Sequence, residues 1–337
     1  MNGIYIMSSE RSGSNLLRSI LNAHSEISAP SALQLFRQFS PIVHLYGNLS
    51  KTENLENLVE DVLLLVNLKG TKTEWDEEIT KRELLNRIKY PSLVEVVVEV
   101  YSLYASKKGA NYFVCKENDL YDHLFKTLHH YPTHKFIYLV RDGRDVAVSE
   151  RSIPFRKRHI FALAESWKKE QQRALSTVQD TKPNNVFLVK YEELLSNTNH
   201  VLEDLFSFLE IKFEKEVLSF HQKKESKNQS NKSEFWTNLS SPMMKDNFSK
   251  YKKKLSEKEI RVFESVCRVE LIALSYKLEF PEQLRISRLN DLYYRINNKI
   301  MKFVNGNDKK SFNHHLINNK AFLEIKKHRY SSIDKIK

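Results

Sequence analysis

Two clusters of side chains in this sequence are of the kind that holds anions. The first is Ser8-Ser9-Glu10-Arg11-Ser12-Gly13-Ser14-Asn15, set between a short apolar run at residues 4–7 and an apolar helical pattern from Leu16. A strand-to-helix turn aims successive backbone N–H groups and the positive helix end at one spot, where a phosphate-like group binds. Gly13 lets the backbone approach closely. Ser12, Ser14 and Asn15 add side-chain hydrogen bonds, and Arg11 adds a permanent charge on a planar donor fork. A plain capped helix start, where Ser and Asn are common, is the bland alternative. The loop is not a nucleoside-triphosphate loop, which needs G-x-x-x-x-G-K-[ST]. No lysine precedes a Ser or Thr at this helix start, so ATP-driven phosphoryl transfer is disfavoured.

The second cluster is Arg141-Asp142-Gly143-Arg144-Asp145-Val146-Ala147-Val148-Ser149, directly after the apolar run 136–140. Open α/β sheets bind ligands at the C-terminal edges of their strands. That places Arg141 at the edge and Ser149 two helical turns onward. Alone, the segment also reads as a capped helix with surface charge pairs. Two strand-to-helix anion motifs in one chain favour a ligand.

The elements that must position these motifs follow from periodicity. Residues 4–7, 112–116, 136–140 and 186–189 are short runs rich in β-branched and aromatic residues, each followed by a helical pattern. Residues 16–23, 122–130, 162–178 and 200–209 are the expected helices, and Pro132 and Pro183 lie in loops that precede strands. This predicts an α/β fold: a P-loop-NTPase-like, mainly parallel central sheet flanked by helices, with a helical insertion at about 40–106 and a helical C-terminal tail. The insertion either shapes an acceptor pocket or serves packing alone. Residues 222–234 form a polar, low-complexity loop expected to be mobile. Residues 255–278 return to helical periodicity, and 289–304 form an amphipathic stretch broken at Asn305-Gly306-Asn307. The expected organisation is a body over 1–280 and a basic helical extension over 281–337.

Composition bounds the function. The chain has 337 residues, 41% hydrophobic and 28% charged, with a mean hydropathy of -0.52. No apolar stretch approaches the ~20 residues of a spanning helix. Two cysteines, Cys115 and Cys267, lack the spacing of a zinc site and are too few for a disulfide scaffold. With no export pattern at the N-terminus, a cytoplasmic location is expected. The net charge is +12, but residues 281–337 hold 13 Lys and Arg against 5 Asp and Glu. The body is therefore only mildly basic, and nucleic acid is not an expected partner.

The two motifs resemble those of sulfotransferases that use 3'-phosphoadenosine 5'-phosphosulfate (PAPS). Ser9 to Leu17 looks like their 5'-phosphosulfate loop, and Arg141 to Ser149 looks like their 3'-phosphate motif with the same Arg-to-Ser separation. The likeness continues at Leu21-Asn22-Ala23-His24-Ser25 and Lys190-Tyr191-Glu192-Glu193-Leu194-Leu195. It covers most of residues 3–280 and is closest to the bacterial branch, with its R-S-G-[ST]-x-L-L and R-D-G-R-D-V loops.

The resemblance implies transfer of a sulfuryl group from PAPS to an acceptor hydroxyl or amine, releasing adenosine 3',5'-bisphosphate, with no metal. Ser12, Gly13, Ser14 and Asn15 would cradle the phosphosulfate, with Arg11 beside the bridging oxygen. Arg141 and Ser149 would hold the 3'-phosphate, and Tyr191 would lie near the adenine. Arg11 and Lys116 would offset charge in the transition state. The adenine-stacking Trp of cytosolic animal relatives is Leu16 here, which leaves Trp236 as a substitute. Residues 245–254 would close over the 3'-phosphate. For the general base the family's His is Asn118 here, and the segment 28–34 contains no acid, so Glu117 or His44 is expected to accept the proton. His24 reads as a structural residue. The acceptor implied is a carbohydrate or lipid-linked glycan, with peripheral membrane contact through the basic tail. The rival readings are a nucleotide kinase or NTPase, and a non-enzymatic basic module binding an anion or a membrane.

Overall fold

The computed structural model describes residues 1–68, 75–153, 157–223, 226–227, 240–305 and 313–334. The expected loop at 222–234 and Trp236 lie largely or wholly outside these residues, as does most of the break at 305–307.

Strand β1 (Asn2–Ser8) leads into helix α1 (Ser14–Leu21), and a short edge strand β2 (Ile27–Ser28) follows. Helices α2 (Leu35–Phe39), α3 (Thr52–Val66), α4 (Lys81–Leu85) and α5 (Leu93–Lys107) then intervene before β3 (Tyr112–Cys115). Helix α6 (Leu124–His130) precedes β4 (Lys135–Val140), which runs into α7 (Gly143–Arg151) and the long helix α8 (Ile160–Gln179). Strand β5 (Val186–Lys190) is followed by α9 (Tyr191–Ser196) and α10 (Thr198–Leu209).

The five strands pair in the order β2-β3-β1-β4-β5, and every pairing is parallel. This is the α/β sheet that the spaced apolar runs predict; only the two-residue β2 carries too little pattern to be read from sequence. Alternation within β1, β3 and β4 buries both faces, while the edge strand β5 leaves Leu188 exposed. Tyr5, Met7, Phe113, Cys115, Phe136 and Tyr138 pack on one side with α5 and α8. Ile4, Ile6, Val114, Ile137, Leu139 and Val189 pack on the other with α1 and α10. Among the residues of the expected insertion, α5 is buried along nearly its whole length and packs on β3, so it belongs to the sheet's own helical layer.

After β5 come helices Glu257–Ala273 and Arg288–Asn305, both packed on α8, and Asn313–Asp334, packed on α3. The last is anchored by a 2.6 Å ion pair between Arg329 and Asp61. The basic extension thus folds back onto the body at both helices.

Candidate functional site

The order β3-β1-β4 places the C-terminal ends of the three central strands side by side, and both anion motifs emerge there. β1 gives way to a turn in which Arg11 (φ 66°) and Gly13 (φ 92°) are left-handed. Gly13 is the N-cap of α1 and no side chain caps the helix start, the arrangement of an anion-binding helix N-terminus. A Cβ on Gly13 would stand 2.3 Å from Tyr191 Cδ2. Glycine is needed there twice over, by conformation and by contact. Ser12 is fully buried and shares a 2.7 Å hydrogen bond with Ser9 Oγ.

The second motif meets the first directly. Arg11 Nε donates to Ser149 Oγ at 3.1 Å. Arg141 donates through Nη1 to Arg11 O and through Nη2 to Asn247 O, both at 3.1 Å. Its guanidinium lies 4.5 Å above the Tyr191 ring, and its buried Nε makes no hydrogen bond among the described residues. A buried donor of this kind is what an anionic ligand satisfies. Tyr191 OH accepts from Asn247 Nδ2 at 2.8 Å. Tyr191 thus lies between the two motifs, one ring face on Gly13 and Arg141 close by.

Arg144, three residues after Arg141, serves a different purpose. It is 1% exposed, donates to Asp142 at 2.9 and 2.6 Å, pairs with Glu264 and lies 4.2 Å above the Tyr251 ring. This buried network ties α7 to helix Glu257–Ala273 and leaves Arg144 unable to reach a ligand.

Lys116 follows β3 at the same sheet edge. Burial pushes its amine down to about 8; the cations Arg18 and Arg37 act in the same direction, against Glu10 and Glu117. Glu117 is 3% exposed, and its Oε1 accepts from Leu33 N at 2.8 Å, Gln34 N at 3.0 Å and Tyr101 OH at 2.7 Å. The carboxylate therefore pins the segment before α2, where Gln34 is left-handed (φ 65°). Asn118 bonds Glu10 and Gln34 across the same junction. His44 is exposed on the 3-10 turn Ser40–Tyr46. His24 is stacked on Phe206 with centroids 5.2 Å apart. Its Nδ1 accepts from Glu26 N at 3.1 Å, so Nε2 donates to Lys212 O at 2.8 Å.

A cleft of about 490 Å³ opens beside the anion loop. Its apolar wall is Val146 and Ala147 of α7 with Leu163 and Trp167 of α8. Three carboxylates line it, Glu10 of the anion loop, Glu150 of α7 and Glu170 of α8, together with the cations Arg37, Lys157, Arg158 and Lys302. Glu10 is held by Arg37 at 2.6 Å. Burial pushes the Glu170 carboxyl up to about 7, with Glu10, Asp119 and Glu150 adding to the rise and Arg37 opposing it. Glu170 and Lys302 are the residues that motif reading does not reach, since each sits in an unremarkable helical context. Of residues 245–254 it is Asn247, rather than a lysine, that contacts Arg141 and Tyr191.

The Sulfotransferase family model matches residues 3–215. The chain is similar to the "Sulfotransferase Domain from the Curacin Biosynthetic Pathway", at 22% identity and a TM-score of 0.55 over 82% of this chain and 99% of that one. It is also similar to the "Sulfotransferase Domain from the Synechococcus PCC 7002 Olefin Synthase", at 17% identity and a TM-score of 0.52 over 82% of this chain and 96% of that one. No curated protein matches it. At these identities the solved structures share the fold, and the family match spans both anion motifs, the Lys116 strand end and Tyr191: the chain belongs to the sulfotransferase family.

Proposed function

We propose that this sulfotransferase takes its sulfuryl group from PAPS and passes it to an acceptor hydroxyl or amine. The observation that carries the reading is Arg141, a buried guanidinium braced by Arg11, Asn247 and Tyr191 with Nε left without a hydrogen bond among the described residues. A nucleotide whose 5' group lies on the uncapped start of α1 would bring its 3'-phosphate to Arg141 and Ser149. Tyr191 would border the adenosine. The acceptor oxygen or nitrogen attacks sulfur while the bond to the bridging oxygen breaks, and adenosine 3',5'-bisphosphate leaves. Arg11 and protonated Lys116 offset the charge growing on that oxygen, so positioning and electrostatics supply the rate.

The acceptor proton must go to a base. Glu117 is the residue next to Lys116, but one of its oxygens already takes three hydrogen bonds, which suits a positioning residue. Glu170 lines the cleft and is half protonated near neutral pH, which suits a general base. The acceptor is read as a carbohydrate or lipid-linked glycan, with the basic tail in peripheral contact with a membrane surface. Calorimetry of adenosine 3',5'-bisphosphate against ATP and AMP tests the donor: tight binding of the bisphosphate alone is expected, and equal affinity for ATP would sink the reading.

A further inference from the structure

Helix Arg288–Asn305 presents an apolar stripe to solvent. Leu289, Leu292, Tyr293, Ile296, Ile300 and Phe303 are between 49% and 83% exposed. On a helix turning about 100° per residue they fall within an arc of about 100°. The helix cannot roll this stripe inward, because its other face is fixed to the body. Tyr294 is 5% exposed and stacks on His159 at 4.8 Å. Asn298 Oδ1 accepts from His159 N at 3.1 Å, and Arg295 pairs with Glu165 at 2.7 Å.

The residues beside the stripe name its occupant. Arg288 and Lys299 are exposed along one edge, and Lys302 is exposed one turn beyond Lys299's side of the helix. A second copy of this chain would bring the same cations to the contact, at a net charge of +12 per chain. An anionic lipid surface accepts both features together, apolar side chains below the headgroups and cations at their level. No helix among the described residues is long and apolar enough to cross a membrane, so the helix would lie in the interface.

We propose that this face of helix Arg288–Asn305 docks in the plane of an anionic lipid surface. The inference rests on the peripheral membrane contact read above and gives it a surface and an orientation. It also gives it a consequence, because Lys302 lines the cleft beside the anion loop. Docking therefore holds the helix that carries Lys302 at the lipid surface, with the cleft on its flank.

Co-sedimentation of the full chain with phosphatidylcholine vesicles, with and without phosphatidylglycerol, tests this. Binding to the anionic vesicles is expected, weakening as salt is raised. Ile296→Glu with Ile300→Glu should lower the bound fraction at least about tenfold, and Arg288→Glu with Lys299→Glu should abolish the preference for anionic lipid. These residues touch neither anion motif, so binding of adenosine 3',5'-bisphosphate should be unchanged in both variants and reports that they fold. Undiminished sedimentation of the Ile296→Glu, Ile300→Glu variant overturns the proposal. So does a dimer mass in light scattering that this variant loses, which would make the stripe a contact between copies. Vesicle binding that fails while the nucleotide still binds refutes the docking and leaves sulfuryl transfer standing; the reverse result refutes the donor assignment alone.

Discussion

Arg11 Nε donates a hydrogen bond to Ser149 Oγ at 3.1 Å, joining the two anion motifs across 138 residues of chain. The link fixes the spacing between the positions expected to hold the two ends of the nucleotide. It also keeps Arg11's flexible side chain in one place before ligand arrives. Ser149→Ala should therefore weaken adenosine 3',5'-bisphosphate by about tenfold, the loss of roughly one hydrogen bond to a charged group. Thermal stability should stay within a few degrees of the parent. Calorimetry and a melting curve on the same sample check both halves.

The two arginines of the second motif should separate cleanly. Arg141→Ala should lose about 10- to 100-fold in affinity for the bisphosphate, as expected for charge-assisted bonds to phosphate, and should still fold. Arg144→Ala leaves Asp142 and Glu264 buried without their cation. It should cost about 3–5 kcal/mol of stability, read as a lower denaturant midpoint, whatever ligand is present.

Lys116 should set an alkaline limit if it acts as proposed. Its folded value of about 8 lies below the ordinary lysine value, so the charge needed beside the bridging oxygen is lost as pH rises through about 8. Turnover should fall over that range, and Lys116→Arg should retain activity to higher pH because guanidinium stays protonated. The stability sign is opposite to that of a paired lysine. The burdened charge destabilises the fold below about 8, and stability recovers as pH rises from about 8 to the unfolded lysine value.

Glu170 should set the acid limit if it is the base. With its carboxyl held up to about 7, kcat/KM should rise with pH through about 7, and Glu170→Gln should flatten that limb and slow turnover about 100-fold. Here the folded acid holds its proton more tightly than the unfolded chain. Stability is therefore lost as pH rises from the ordinary Glu value to about 7, and Glu170→Gln should be more stable above it by about 1–2 kcal/mol. Glu117→Gln provides the contrast. If Glu117 only positions Leu33, Gln34 and Tyr101, its variant should keep the acid limb near pH 7 and lose stability instead. A limb that vanishes in Glu117→Gln and persists in Glu170→Gln would return the proton to Glu117.

Much of this site is legible before any coordinates. Strands β1, β3 and β4 announce themselves because strands buried on both faces demand continuous apolar runs, the edge strand β5 carries a similar run, and each ends at a polar segment that starts a helix. The anion loop reads for a similar reason: Gly13 and its Ser and Asn neighbours are what a left-handed strand-to-helix turn requires, and that requirement is local. The amphipathicity of residues 289–304 is likewise a property of a single helix.

Pairings across the chain are a different matter. Arg141 and Arg144 stand in near-identical local contexts, Arg-Asp-Gly and Arg-Asp-Val, yet one bonds the backbone of Arg11 and Asn247 beside the anion loop and the other is sealed between α7 and helix Glu257–Ala273. Glu117 beside Lys116 suggests a base, and only the path of residues 33–34 shows its oxygen already engaged. Tyr191 on Gly13, Asn247 on Arg141, Glu170 and Lys302 on one cleft are set by how distant segments pack. The sequence by itself determined the α/β sheet, the two anion motifs and the basic tail, because each is written in short-range period and residue type. Only the tertiary structure decided which charges are sealed into buried networks and which line the cleft, because burial and partner choice depend on segments far apart in the chain.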